Sequence, residues 1–141
     1  MRAHKSKTLA AWTAVLLGPL GVHRFYVHGA RNLLGWLHLP PTLAGLVGAW
    51  RMQTLGQDDL AATWLVPLLG LMISQAMFTA ILWGLMPDAR WDQRHNGGQT
   101  SAPAGWGAVL AVILALMVGG AVLMGTIAYS VQHFFEWQLR R

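Results

Sequence analysis

The stretch that decides the fold is Leu16–Asn32, LLGPLGVHRFYVHGARN. It lies between two apolar runs, yet it carries His23, Arg24 and His28, framed by Gly18, Gly21 and Gly29. An arginine at the centre of a bilayer costs about 2.5–3.5 kcal/mol even on a lenient insertion scale. Arg24 is therefore expected at a boundary with water unless it is paired. Gly18-Pro19 and Gly21 can end a helix, and Gly29 permits backbone angles that other residues resist. These features predict a tight turn between two spans at the membrane surface, with the rings of Phe25 and Tyr26 at headgroup depth.

Composition supplies the reason for invoking a membrane. The chain has 141 residues, of which 55% are hydrophobic and 11% charged. Soluble domains carry about 25% charged residues, and a soluble chain this short could not hide so much apolar surface. Eight tryptophans fit an interface-rich protein. The net charge of +5 forms no continuous basic stripe and reads as helix-end anchors facing lipid phosphates, not as a nucleic-acid surface. With no cysteine, disulfides and thiolate metal sites are excluded.

Four apolar segments follow one another, at about 8–22, 30–50, 61–86 and 106–129. A crossing needs about 20 apolar residues. The third and fourth meet that length. The second does so with Pro40-Pro41 in its middle, where a kink is expected. The first is short. Met1–Lys7 and Leu9–Leu17 resemble the start of a signal peptide, but no small-x-small cleavage site follows, so a retained span is expected. Residues 87–105, PDARWDQRHNGGQTSAPAG, read as a polar loop. The tail VQHFFEWQLRR reads as the end of the last helix. The fold class is all-α, a polytopic membrane protein of four transmembrane helices in two hairpins.

Small residues mark the packing faces. Thr63, Pro67, Gly70 and Ser74 share one face of the third segment, and Ala108, Ala111, Ala115, Gly119 and Thr126 one face of the fourth. Close contact of small residues drives helix association in lipid, so these faces are expected to meet. Four crossings put Arg24 and residues 87–105 on one side, where Asp88 and Asp92 are the candidate partners of Arg24, with lipid phosphate as the alternative. Asp58, Asp59 and Glu136 fall on the other side. Arg2, Lys5, Lys7, Arg51, Arg140 and Arg141 outnumber Arg24, Arg31, Arg90 and Arg94, six to four, which places both termini in the cytoplasm.

The turn also resembles a known family. Gly18, Gly21, His23, Arg24, Phe25 and Tyr26, with Lys5 and Lys7 upstream, resemble the signature of the TM2 domain family, in which two transmembrane helices flank a glycine-rich His/Asp-Arg-Phe-Tyr turn. Gly29 falls one place later than the usual glycine. His23 stands where animal members carry an acid, so a switch built on an Asp-Arg pair is not implied. The resemblance divides the chain into a TM2-like hairpin at 5–55 and a second hairpin at 56–141, similar to bacterial long-form members. It implies an inner-membrane location, and for the Arg-Phe turn it implies a cytosolic side, opposite to the charge count.

Chemistry is sparse. His38, in the second span, is an intramembrane ionisable group. It could relay protons or bind a metal, but a neutral histidine donating to a freed backbone carbonyl is favoured. Gln75 and Thr79, one turn apart, read as glue between helices. His23 and His28 lack the i, i+4 spacing of helical metal ligands. No nucleotide-binding loop, zinc-protease motif or nucleophile elbow is present. The expectation is a non-catalytic membrane scaffold or partner-binding subunit without cofactor, in contact with the bilayer and with an unknown membrane partner or itself. The alternative is a small channel or transporter component acting as an oligomer.

Overall fold

The computed structural model describes residues 4–140, all helical or irregular. The elements are α1 (Lys7–Leu17), a 3-10 turn (Gly18–Leu20), α2 (Val22–His28), α3 (Leu33–Trp36), α4 (Leu39–Leu55), α5 (Leu60–Leu85), α6 (Asp88–His95) and α7 (Gly105–Leu139).

Helix α5 is the axis of the molecule, and α7 and α4 lie along it. At 26 and 35 residues, α5 and α7 are long and apolar enough to cross a membrane. Only 22% and 28% of their most apolar windows are buried, so most of that apolar surface faces outward, as it does in a helix solvated by lipid. They pack through small residues, as their faces predict. A side chain at Gly70 would collide with Thr126, one at Gly84 with Val112, and Gly119 lies against Met77. The hydroxyls on these faces are satisfied within their own helices, Ser74 donating to the Gly70 carbonyl at 2.8 Å and Thr126 to that of Val122 at 2.7 Å. On the other flank, Gly48 meets the backbone of Leu65 and Val66, and the bidentate pair of Arg51 with Asp59 (2.8 Å for both bonds) ties the end of α4 to the start of α5. Asp59 also caps α5, accepting from the Ala62 amide at 2.9 Å.

The sequence predicts four crossings; two helices have the length and composition of a crossing, and the first apolar segment folds back. Helix α1 has 11 residues, about 16 Å, or half the thickness of a hydrocarbon core. Its Ala10, Ala11 and Ala14 are wholly buried, and Ala11 and Ala14 pack on Met77 and Ala80 of α5 and Ala111 and Ala115 of α7. It stops where Gly18 touches Ala76, near the middle of α5. Helix α2 then returns to the level where α1 began. Ser6 N–H donates to the Tyr26 hydroxyl at 3.0 Å, and Lys5 Nζ donates to the Val27 carbonyl. The first two elements are a wedge that enters the bundle and leaves at the same end. Gly-Pro-Leu-Gly halts the chain before it can reach the far side.

Two further expectations are corrected. Residues 87–105 are not simply a loop, because Asp88–His95 forms α6. An acid in its first turn and Arg94 and His95 in its last complement the helix dipole, and the buried Trp91 anchors it. The prolines at 40 and 41 do not kink a continuous helix. They sit in the first turn of α4, where the missing amides are tolerated, and the break falls before them at Leu37 and His38.

The wedge also changes the sidedness. Lys7 Nζ bonds the Met86 carbonyl at 2.8 Å and pairs with Asp88 at 2.6 Å, and Trp91 Nε1 donates to the Lys5 carbonyl at 2.8 Å. The amino-terminal segment therefore lies beside 86–104. Arg140 lies 3.8 Å from Asp58, at the start of α5. The described ends of the chain stand at opposite ends of the bundle, not on one side. Arg2 and Arg141, both used in the charge count, lie outside the described residues.

Candidate functional site

The motif residues come together at the tip and returning arm of the wedge. Gly21 takes φ 75, a left-handed conformation, and a side chain there would strike the carbonyl of Gly35. This packs the turn onto the α3–α4 break. Phe25 lies against Gly35 and Trp36, with the Phe25 and Trp36 rings 5.2 Å apart. Tyr26 bonds the amino-terminal segment, as described. Gly29 (φ 83) closes α2, its amide donating to the Phe25 carbonyl at 2.8 Å. Non-helical backbone at membrane depth persists only where protein satisfies it. Here Thr42 donates to the Pro19 carbonyl at 2.5 Å, and the Gly21 amide to that of Gly18 at 2.9 Å.

His23 is fully buried, with His38 and Trp83 each 5.5 Å away centroid to centroid. Neither of its ring nitrogens makes a hydrogen bond of normal geometry among the described residues, and the nearest backbone acceptor is at Gly18. From His38 a polar chain runs into α5. Nδ1 donates to the Leu34 carbonyl at 2.5 Å, and Nε2 lies 2.9 Å from the side-chain amide of Gln75. That amide lies 3.1 Å from the Thr79 hydroxyl. The Thr79 hydroxyl accepts from the Gln75 amide nitrogen and donates to the Gln75 backbone carbonyl at 3.0 Å, which leaves the Gln75 side-chain oxygen facing Nε2. The favoured reading of His38, one bond to a freed carbonyl, describes one of its two contacts. The carbonyl is freed by the α3–α4 break, not by the prolines. The second contact, to Gln75, joins the two intramembrane polar residues that the sequence singled out separately.

Arg24 is not paired with Asp88 or Asp92. Asp88 holds Lys7 and accepts from the Ala104 amide at 3.3 Å. Asp92 accepts from the Ser101 amide at 2.8 Å, from the Ser101 hydroxyl and from Asn96 at 2.7 Å. Asp88 is open to Arg24 only when four crossings put Lys7 at the far end; beside α6, Lys7 takes it. These bonds hold both carboxyls below the usual carboxylate range, the Lys7 bond acting first for Asp88 and the Ser101 hydroxyl first for Asp92. Arg24 makes no ion pair among the described residues, and its buried Nε has no hydrogen-bond partner. Sequence reasoning also missed a cap in which Trp91 Nε1 and Asn96 Nδ2 both donate to the Lys5 carbonyl, at 2.8 and 3.2 Å, and the Lys5 amide donates to Asn96 Oδ1 at 2.8 Å. The signal that could have found it is the set of helix start and stop features in PDARWDQRH, which contains α6. No group of three histidine, aspartate or glutamate side chains is placed to hold a metal among the described residues.

A buried wedge, outward-facing apolar helices of crossing length and a polar cap at one end define a small all-helical membrane protein. Its amino-terminal third is of a recognisable kind: residues 3–53 match the TM2 domain. That match spans the wedge and most of α4, and it agrees with the resemblance carried by the turn. No curated protein and no solved structure matches the chain.

Proposed function

We infer that the protein is a non-catalytic membrane scaffold, a partner-binding subunit built around a half-depth wedge. The observation that carries this reading is the use made of the intramembrane polar groups. Thr42 holds the wedge tip, and His38, Gln75 and Thr79 tie the α3–α4 break to α5. Spending these groups on internal bonds fixes a rigid shape, which suits a platform. The surface on offer lies at the carboxyl end, where α7 and α5 form a groove lined by Trp64, Pro67, Phe134 and Trp137. Lys5, Lys7, Arg24, Arg31, Arg90 and Arg94 cluster at the α6 end, against Arg51 and Arg140 at the other, six to two among the described residues. By the positive-inside rule the α6 end is cytoplasmic and the described carboxyl end lies outside, in a bacterial inner membrane. This agrees with the side that the TM2 resemblance implies for the Arg-Phe turn.

The test is photo-crosslinking from position 134 in native membranes, followed by mass spectrometry. A recurrent membrane partner, or a second copy of the chain, supports the reading. Adducts to lipid alone contradict it.

A second reading, a small proton- or ion-conducting component, is favoured by one observation: the polar chain from His38 to Thr79 lies beside the fully buried His23 at the tip of a half-depth hairpin. Flux in proteoliposomes that falls on His38→Ala or Gln75→Ala supports it, and unchanged background leak rejects it.

A further inference from the structure

The cationic end of the molecule is uneven, and its unevenness suggests a ligand. Arg24 and His28 lie four residues apart on one face of α2. His28 meets His95 of α6, ring to ring at 6.1 Å. Arg94 adjoins His95 in the last turn of α6, and Lys5 stands behind them, donating to the Val27 carbonyl. Every carboxylate at this end is engaged elsewhere, Asp88 with Lys7 and Asp92 with Ser101 and Asn96. Arg24 and Arg94 form no ion pair among the described residues. His28 and His95 are both held below the usual histidine range, first by burial and then by the positive charges around them, among them Lys5 and Arg94. Four positive or protonatable groups from two elements thus converge where no acid among the described residues pairs with them.

We propose that Arg24, His28, Arg94 and His95 bind the phosphate of an anionic phospholipid at the cytoplasmic interface. Charge complementarity carries the assignment. Arg24 starts about one helical turn below His28 and can snorkel upward, and a guanidinium matches phosphate oxygens with paired donors. The site lies at headgroup depth, because α2 ends there beside the polar α6. It is independent of the scaffold reading and needs only the membrane embedding of the chain.

Binding of phosphatidylglycerol and of phosphatidylcholine to the detergent-solubilised full chain is compared by native mass spectrometry, with inorganic phosphate as a third arm. Retention of phosphatidylglycerol over phosphatidylcholine is expected, with Arg94→Gln weakening it about fivefold, as loss of one interfacial cation does. Arg140→Gln, at the opposite end, leaves it unchanged. Equal retention of both lipids, or equal weakening by the two variants, overturns the proposal. Displacement of the lipid by millimolar inorganic phosphate overturns the lipid assignment in favour of a free anion. A second readout does not depend on the variants. Phosphatidylglycerol nanodiscs raise the His28 and His95 titration midpoints in NMR relative to phosphatidylcholine nanodiscs, because a nearby anion favours the charged imidazole. Unmoved midpoints overturn the proposal.

Discussion

At the scale of single residues, most of the motif has a mechanical explanation. Gly21 combines a left-handed backbone with a close approach to Gly35. Gly21→Ala therefore adds backbone strain of about 1–2 kcal/mol to a steric collision, and a lower unfolding midpoint in detergent is expected. Gln75→Leu leaves His38 Nε2 without its partner inside the bundle. It is expected to cost about 1–3 kcal/mol, measured by reversible unfolding, while Ser130→Ala, exposed on α7, costs little. Asp88 and Asp92 give the protein an acid limb. Their carboxyls titrate lower when folded than when unfolded, so the stability they confer is full above the ordinary carboxylate range and is lost as pH falls through the folded values. Asp92→Asn is expected to flatten that limb in a pH series of unfolding midpoints.

At the scale of elements, the decisive object is the α1–α2 wedge. Three alanines of α1 have no exposed surface. Ala14→Leu forces bulk between α5 and α7 and should destabilise by about 1–3 kcal/mol, whereas Met117→Leu, 69% exposed on the outer face of α7, should be near neutral in the same unfolding assay. The sequence made α5 and α7 legible, because long apolar runs and small-residue faces are local signals. It also made the turn legible, through Gly18, Gly21 and Arg24. It did not reveal that the turn lies at half depth. Whether an eleven-residue helix stops midway depends on whether other helices cover the turn, and Thr42, Ala76 and Gly35, which do so, are remote in sequence. The error over Arg24 followed from that one. Placing the amino-terminal segment at the far end removed Lys7 from the neighbourhood of Asp88 and left the acid free for Arg24. Helix α6 was hidden differently, since its own start and stop features were outweighed by the polar, glycine-rich residues around it.

At the scale of the whole molecule, the claim on which the rest depends is that the amino-terminal segment, the end of α2 and α6 share one end of the bundle, while the end of α7 lies at the other. The absence of cysteine makes this directly measurable. Single cysteines are introduced as Ser6→Cys, Arg31→Cys, Gln93→Cys and Gln138→Cys, and labelled with a membrane-impermeant maleimide in intact cells and in inverted vesicles. With the amino-terminal segment beside α6, positions 6, 31 and 93 react together in inverted vesicles and position 138 reacts from the outside of intact cells. Labelling of positions 6 and 138 from the same side, with 31 and 93 from the other, would contradict it and restore a first segment that crosses the bilayer completely.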